Sequence, residues 1–538
     1  LCNFTARITE EVLLDDGEQQ EEQYTIAMQC GVKARAVTVK CTDFEGDGAV
    51  ARLTAALGYR ARINPAAQVR RVTDAIKVLS ADVVERTIYT HTGWNAGRFL
   101  YGNGYVDRDG WHESNVCQLP ERLEQYRFTP PAASIGEALA LFDQLLGLTR
   151  AIVIVPVLGA LVLPPIASTI DTHPPLVHLY GTTGSQKSYG MCALMALWGG
   201  FTPMKPTDSW ASTAKSSQKL GWHLMHAPMV LDDYKLVHVD KENVISILQN
   251  YGDGLARGRL TASSDLRRAY PIRAVLLSTG EDQPEGEAAT YARMLSVSIG
   301  RGWIDLNVLT RVQTDAALLQ ILMLDYLRWL ATTPARLKQH QERHHAIRVA
   351  SINAITQRVE HAVNPGRIAS NVAAIQLAWE CFGAFLEERG HWPAERVRSW
   401  LDHCTGELLA LALSQATMTT EERYSVIFLN TVRSLIASRK CALVDLGALD
   451  TDTKHATVIG GYDTEGVYLI RDAAYDAVAQ QLKAAGRTVG FTQRALAKML
   501  FDDGLMVSTT PPNLAVYKRR INNGAGAWCW HLAADALH

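Results

Sequence analysis

The chain has 538 residues, a formal net charge of −2 and 20% charged residues. That length suits about three or four domains with several cores, and the near balance of charge excludes a global basic field, so any nucleic-acid contact must come from local patches. Nine cysteines stand singly with no C-x-x-C pair, which fits reduced thiols in a cytoplasmic protein rather than a zinc knuckle or a disulfide framework.

From Phe4 to about Asp43 apolar and polar residues alternate, as in Gln23-Tyr24-Thr25-Ile26-Ala27-Met28, with a turn at Asp15-Asp16-Gly17. This pattern predicts paired antiparallel strands. A helix around Ala66–Leu79 and further strand-like runs at Arg86–Thr92 and Arg98–Val106 complete an N-terminal α+β accessory domain over 1–131, closed by Pro130-Pro131. The chain opens at Leu1 without a charged-then-apolar signal, and we expect a trimmed N-terminus.

The stretch 132–315 reads as an α/β core, a parallel sheet with flanking helices that opens with the helix pattern Ile135–Leu148. The apolar run from Ala151 to Ala167, broken by Pro156, Pro164 and Pro165, is too short for a membrane span and reads as buried core, so no membrane partner is expected. The apolar run Pro175–Tyr180 leads into Gly181-Thr182-Thr183-Gly184-Ser185-Gln186-Lys187-Ser188 and then a helix-like stretch through Leu197. A strand, a glycine-bearing loop and a helix N-terminus wrap backbone N–H groups around phosphates. Lys187 would reach the β- and γ-phosphates of ATP, and Ser188 would hold Mg²⁺. Gln186 stands where a glycine is expected.

The next acidic strand end is Ala227-Pro228-Met229-Val230-Leu231-Asp232-Asp233. Asp232 would bind Mg²⁺, directly or through water, and Asp233 would polarise the attacking water, one methylene shorter than the usual Glu. The apolar strand Ile272–Leu277 ends in Ser278-Thr279-Gly280-Glu281, where Ser278 or Thr279 would sense the γ-phosphate. Arg293, just before another apolar strand, is the expected arginine finger for a neighbouring subunit's nucleotide, with Arg301 the next candidate.

Beyond the core, Ala316–Ala331, Leu337–Val363, a helix opening near Arg367 and another between Ala394 and Leu413 make a helical lid over 316–440. Thr419 and Glu422 have capping-box spacing ahead of Tyr424–Ser438. Over 441–538, helices at Asp472–Ala485 and Thr492–Phe501 and strands around Leu505–Val507 and Ala527–His531 suggest a winged helix. Arg494 and Lys498 would lie on its recognition helix and Lys518, Arg519 and Arg520 near its wing, placed for duplex or fork DNA. Trp528 and Trp530 read as core.

This order of loop, Asp-Asp strand, Ser-Thr-Gly-Glu strand and Arg293 resembles the AAA+ helicases of phages, plasmids and integrative elements, which are in turn similar to minichromosome-maintenance helicases. The resemblance covers roughly Ile88 to Trp303, including Thr90-His91-Thr92-Gly93-Trp94 and Asp208-Ser209-Trp210-Ala211-Ser212-Thr213, and more loosely the C-terminal segment. The minichromosome-maintenance relatives carry a small residue in place of the glycine at the Gln186 position. The resemblance implies a P-loop AAA+ core, ATP and Mg²⁺ as cofactors, and a homo-oligomeric ring, a hexamer, with a DNA strand in its channel. It makes Arg367 the lid sensor arginine, and Arg257, Arg259, Arg267 and Arg268 a basic hairpin that grips the strand. The expected activity is ATP-driven DNA unwinding or translocation in the replication of a mobile element. An ATP-switched DNA-binding initiator is the first rival, and a small-molecule P-loop kinase, which needs neither lid nor winged helix, the second.

Overall fold

The computed structural model describes residues 2–44, 48–64, 69–170, 172–236, 238–253, 259–260, 266–267, 270–283, 293–333, 336–360, 362–421, 424–447, 456–485, 491–507, 517–521 and 526–533. They fall into two compact units. One comprises Leu1–Pro284, Arg293–Val349 and Ser370–Leu411; the other comprises Glu285–Ala292, Ala350–Ala369 and Ala412–His538.

The first unit opens with the hairpin β1 (Thr5–Asp15) and β2 (Gln20–Cys30), followed by β3 (Lys33–Lys40). Asp15 and Gln20 face each other across the turn, and the Asp15 carboxylate accepts from the Gly17 N–H. The sheet order is β3-β2-β1-β4, and β4 (Val84–Tyr89) runs parallel to β1. The alternation places Ile8, Ile26, Met28 and Val39 in one core with Leu53 and Leu57 of the helix Ala49–Leu57, and Val72 and Ile76 of the helix Val69–Leu79. An antiparallel meander follows: β5 (Gly93–Asn95), β6 (Arg98–Tyr101), β7 (Gly104–Asp107) and β8 (Gly110–Glu113). Two side chains and one backbone carbonyl of the Thr90–Trp94 segment fasten it to the core. The Thr92 hydroxyl donates to the Met225 carbonyl, Trp94 Nε1 donates to the Pro165 carbonyl, and His223 bonds the Thr90 carbonyl.

Ser134 and Glu137 form a capping box that starts the helix Ile135–Leu146. The next helix, Ala151–Val162, is buried on nearly every side and lies against the central sheet, as an apolar run with no polar face must. That sheet is wholly parallel: β9 (Leu176–Tyr180), β10 (Asp208–Ser209), β11 (Pro228–Tyr234), β14 (Val275–Gly280) and β15 (Met294–Ser298), in the order β10-β11-β14-β9-β15. Between β11 and β14 stand the helix Lys241–Asp253 and a short antiparallel pair, β12 (Arg259–Leu260) and β13 (Leu266–Arg267). With β14 central, between β11 and β9, the C-terminal ends of β9, β11 and β14 open side by side, the edge where parallel sheets hold ligands.

The helical region that follows contains Leu306–Thr314, Leu318–Thr332, His340–Arg358, Pro365–Glu388, Ala394–Glu421 and Tyr424–Ala437. One expectation fails there. Thr419 is not a helix cap but lies inside Ala394–Glu421, buried, with its hydroxyl donating to the Gln415 carbonyl one turn back. A threonine that finds its own i−4 carbonyl has no need to terminate the helix; Glu422 lies outside the described residues.

In the second unit a five-stranded sheet runs β16-β17-β18-β20-β19, with β16 (Cys441–Asp445), β17 (Thr457–Asp463), β18 (Gly466–Ile470), β19 (Tyr517–Arg519) and β20 (Ala527–Leu532). Phe428, Val432, Ile459, Leu469, Val478, Leu496 and Trp530 form its core with the helices Tyr424–Ala437, Arg471–Ala484 and Gln493–Asp502. The two helices after β18 and the final strand lie where the sequence puts them. The expected strand at 505–507 is reduced to a bridge from Met506 to Leu532, and β16 to β18 add three strands that the sequence reading did not foresee.

Candidate functional site

The Gly181–Ser188 loop links β9 to the helix Lys187–Met195. Gly181 is the one residue type that fits its position, since a Cβ there would stand 2.1 Å from the Ile299 carbonyl oxygen. Gly184 and Gln186 take positive φ values of 85° and 62°, and Gln186 is the left-handed joint at which the loop turns into the helix. Glycine is favoured at such a joint because any Cβ there crowds the backbone, so Gln186 carries a local cost of about 1 kcal/mol. Lys187 is 8% exposed and Ser185 1%, and the Ser185 hydroxyl finds no partner among the described residues. A buried donor without a partner among the described residues, beside the start of the helix Lys187–Met195, is a fitting cradle for an anion.

The acidic pair is set by a strand irregularity. Leu231 faces Ser278 and Tyr234 faces Gly280, so β11 carries one more residue than β14 over this stretch. The bulge falls on Asp232-Asp233, and Asp233 takes a φ of 61°. Aspartate tolerates that region better than longer side chains, because its short carboxylate can bond locally. This is a backbone reason for Asp in place of Glu. Ser188 Oγ donates to Asp232 Oδ1 at 3.1 Å, and Thr279 donates to the same oxygen. A hydroxyl and a carboxylate at this separation are the hard oxygen donors that suit Mg²⁺.

Ser278 and Thr279, equivalent from the sequence, are not so in the fold. Both are fully buried, but Ser278 faces away from the loop, accepting from Trp210 Nε1 at 2.7 Å and lying 2.9 Å from His178 Nδ1. His178 in turn reaches the Asp282 carbonyl at 2.9 Å, and burial pulls its imidazole down to about 4, so it stays neutral. Thr279 turns the other way. Besides Asp232 it meets the Asp233 N–H at 3.4 Å, on the same edge as the loop.

Two residues join this group that the sequence reading passed over, Lys235 and Glu281. Lys235 Nζ lies 3.1 Å from Asp233 Oδ1 and 3.3 Å from Glu281 Oε1, and Glu281 Oε1 accepts from Thr183 Oγ1 at 2.7 Å. The Thr183 hydroxyl, with Lys235 beside it, holds the Glu281 carboxyl below the usual carboxylate range; the two carboxylates raise the Lys235 ammonium. Their signal was present in the sequence, as a lysine two residues past the acidic pair and a carboxylate at the tip of the neighbouring strand. Asp208 of the quoted Asp-Ser-Trp segment is buried and held by the Ser212 and Ser217 hydroxyls and by Arg122, so it braces the strand next to β11.

Arg293 sits at the opposite end of the sheet. It precedes β15, whose first residue, Met294, is level with the start of β9, so the length of a five-residue strand, roughly 16 Å, separates it from its own loop. Its stem lies on Gly252 of the helix Lys241–Asp253. Arg301 is on the loop side, with Nε donating to the Thr183 carbonyl at 3.0 Å. Arg367 is near the start of Pro365–Glu388, in the other compact unit from the loop.

Of the basic hairpin, Arg259 and Arg267 face each other in register across β12 and β13, whereas Arg257 and Arg268 lie outside the described residues. In the second unit Arg494, Lys498, Lys518 and Arg520 are exposed. Arg519 is engaged within the unit: it pairs with Asp463, lies 3.5 Å from Glu465 and stacks over Tyr468 at 4.1 Å. Trp530 is buried, but Trp528 is 49% exposed with the Lys518 ammonium 5.7 Å from its ring, so only one of the two tryptophans is core. Among the described residues no helix is long and apolar enough to cross a membrane.

No family model matches the sequence, and no curated protein matches it either. Among solved structures the chain is similar to one titled "SCCmec type IV Cch - active helicase", with a TM-score of 0.57 and 13% identity, covering 98% of this chain and 94% of that one. A second, the apo form of the NrS-1 C-terminal region, aligns at a TM-score of 0.26 and 9% identity over 76% of this chain and 87% of that one, a likeness too slight to carry an argument. The first likeness extends over nearly the whole chain, and the protein therefore has a helicase-like fold.

Proposed function

We propose that this chain is an ATP-hydrolysing DNA helicase or translocase of the AAA+ type, serving the replication of a mobile element as a homo-oligomeric ring, a hexamer. One observation carries the reading: Ser188, at the helix start after the glycine-bearing loop, shares the Asp232 carboxylate with Thr279, so three parallel strands deliver a metal-and-phosphate constellation to one edge. The helicase-like fold supports it from outside the site.

The loop N–H groups and Lys187 bind the triphosphate. Ser188 and Asp232 hold Mg²⁺, which when bound offsets phosphate charge. Asp233 takes the proton of the attacking water, and Thr279, rather than Ser278, orients that water or the γ-phosphate. Arg293, too far from its own loop, completes a neighbour's site, and Arg367 belongs to the lid. Arg257, Arg259, Arg267 and Arg268 contact the strand in the channel; Arg494, Lys498, Lys518 and Arg520 contact duplex or fork, and Arg519 shapes that surface. The segment 441–538 is read as a winged-helix variant carrying extra strands, and 1–131 as an accessory domain.

In titrations with a fluorescent ATP analogue, Lys187→Ala loses binding, while Asp233→Asn binds and ceases to turn over. Parental turnover by Asp233→Asn removes Asp233 as the base. One observation favours the ATP-switched initiator: Asp233 is ion-paired with Lys235 rather than free to accept a proton. Hydrolysis and unwinding of a labelled fork, measured side by side, separate the two. Hydrolysis without unwinding leaves the initiator.

A further inference from the structure

The mouth of the loop gathers negative charge. Asp232, Asp233 and Glu281 all stand on the edge from which a nucleotide's terminal phosphate must come, and Glu281 is bonded to the loop itself through Thr183. A γ-phosphate entering beside Asp233 and Glu281 meets two like charges unless a cation comes between them. Lys235 is that cation. Its ammonium bridges the two carboxylates at 3.1 and 3.3 Å, and Glu281 links it to the Thr183 hydroxyl.

We propose that Lys235 is a ligand for the γ-phosphate of a bound nucleoside triphosphate, and the residue by which this site distinguishes ATP from ADP. The inference rests on the nucleotide-binding reading above. The Lys235 side chain is 32% exposed and that of Asp233 58%, so the bridge it makes now is a solvated and weak one. A terminal phosphate carries more negative charge than a carboxylate and offers three acceptor oxygens, so it competes with Asp233 for the ammonium. The ammonium then leaves Asp233 for the γ-phosphate, which frees the carboxylate to hold water in the same movement. ADP presents no such oxygen, so with ADP bound the lysine keeps its two carboxylates.

The test is equilibrium binding of the β,γ-methylene analogue of ATP and of ADP, each with Mg²⁺, to the full chain and to Lys235→Met and Lys235→Arg. Lys235→Met weakens the ATP analogue on the order of tenfold and leaves ADP unchanged, whereas Lys235→Arg, which keeps a cation within reach, retains the preference for the triphosphate. If Lys235→Met weakens both nucleotides equally, or neither, the proposal is overturned. The same holds if Lys235→Met only speeds hydrolysis with affinities intact, which would make the bridge a restraint on Asp233 and nothing more. Absence of binding to the parent chain is a different failure, because it removes the ATP reading itself and not this residue's part in it.

Discussion

At the scale of single residues, His178 shows how a strand next to the loop is kept apolar in character while carrying a titratable ring. It is enclosed, bonded on one nitrogen to Ser278 and on the other to a carbonyl, and neutral because burial lowers it from 6.5 to about 4. A group with a depressed folded value favours the neutral form in the native state. Its stabilisation is complete above about pH 6.5 and is lost as the pH falls towards about 4. We expect His178 alone to remove on the order of 2 kcal/mol of stability between pH 7 and pH 5. Denaturant midpoints across that range should fall in the parent and fall less steeply in His178→Gln, whose amide can still bridge Ser278 and the Asp282 carbonyl. Equal slopes for the two proteins would place the acid sensitivity elsewhere. The Ser278 and Thr279 pair teaches the related lesson that adjacent hydroxyls on a strand point to opposite faces, so only one of them can serve the loop edge.

At the scale of elements, the strand-to-helix turn is the joint on which the site depends. Gln186 at φ 62° bears a modest cost, and a β-branched residue there would bear a larger one. Gln186→Gly should be close to neutral in stability, the relief at this φ being offset by the freer unfolded chain, and keep nucleotide binding. Gln186→Val should lose about 2 kcal/mol in chemical denaturation and weaken nucleotide binding, because the helix start no longer presents its N–H groups in line. A stable Gln186→Val protein with parental affinity would show that the loop re-forms in another way. The elements of this joint were legible in the sequence, since a short apolar run, glycines and a following helix pattern are local features. The bulge at Asp232-Asp233 was not. It exists only in the pairing of β11 with β14, and it decides which carboxylate meets Ser188. Strands β16 to β18 escaped for a similar reason: Gly460 and Gly461 interrupt the apolar alternation, and a Cβ on Gly460 would meet the Tyr468 carbonyl at 2.2 Å.

At the scale of the whole molecule, Arg293 and the loop lie at opposite ends of one parallel sheet, so a role for Arg293 in hydrolysis needs a second copy of the chain. Subunits carrying Arg293→Ala and subunits carrying Asp233→Asn should each be nearly inactive alone. Mixed one to one they should regain activity, because about a quarter of the interfaces in a randomly mixed ring unite an intact Asp233 with an intact Arg293. No recovery, together with normal hydrolysis by Arg293→Ala alone, would remove it as the finger. Arg301, the next candidate, lies at the other end of the sheet and bonds the chain's own loop at Thr183.

The sequence by itself determined the order of the elements around the site: the loop with Lys187 and Ser188, the acidic strand end, the hydroxyl-bearing strand end and the run of helices beyond. Each of these is written in spacings of a few residues, where local propensity and turn chemistry act. Only the tertiary structure decided which of two adjacent hydroxyls meets the Asp232 carboxylate, Thr279 rather than Ser278, and set Lys235 and Glu281 beside that pair. Those choices follow from strand register and the order of strands in the sheet, which join residues distant in sequence and leave no period for a sequence pattern to reveal.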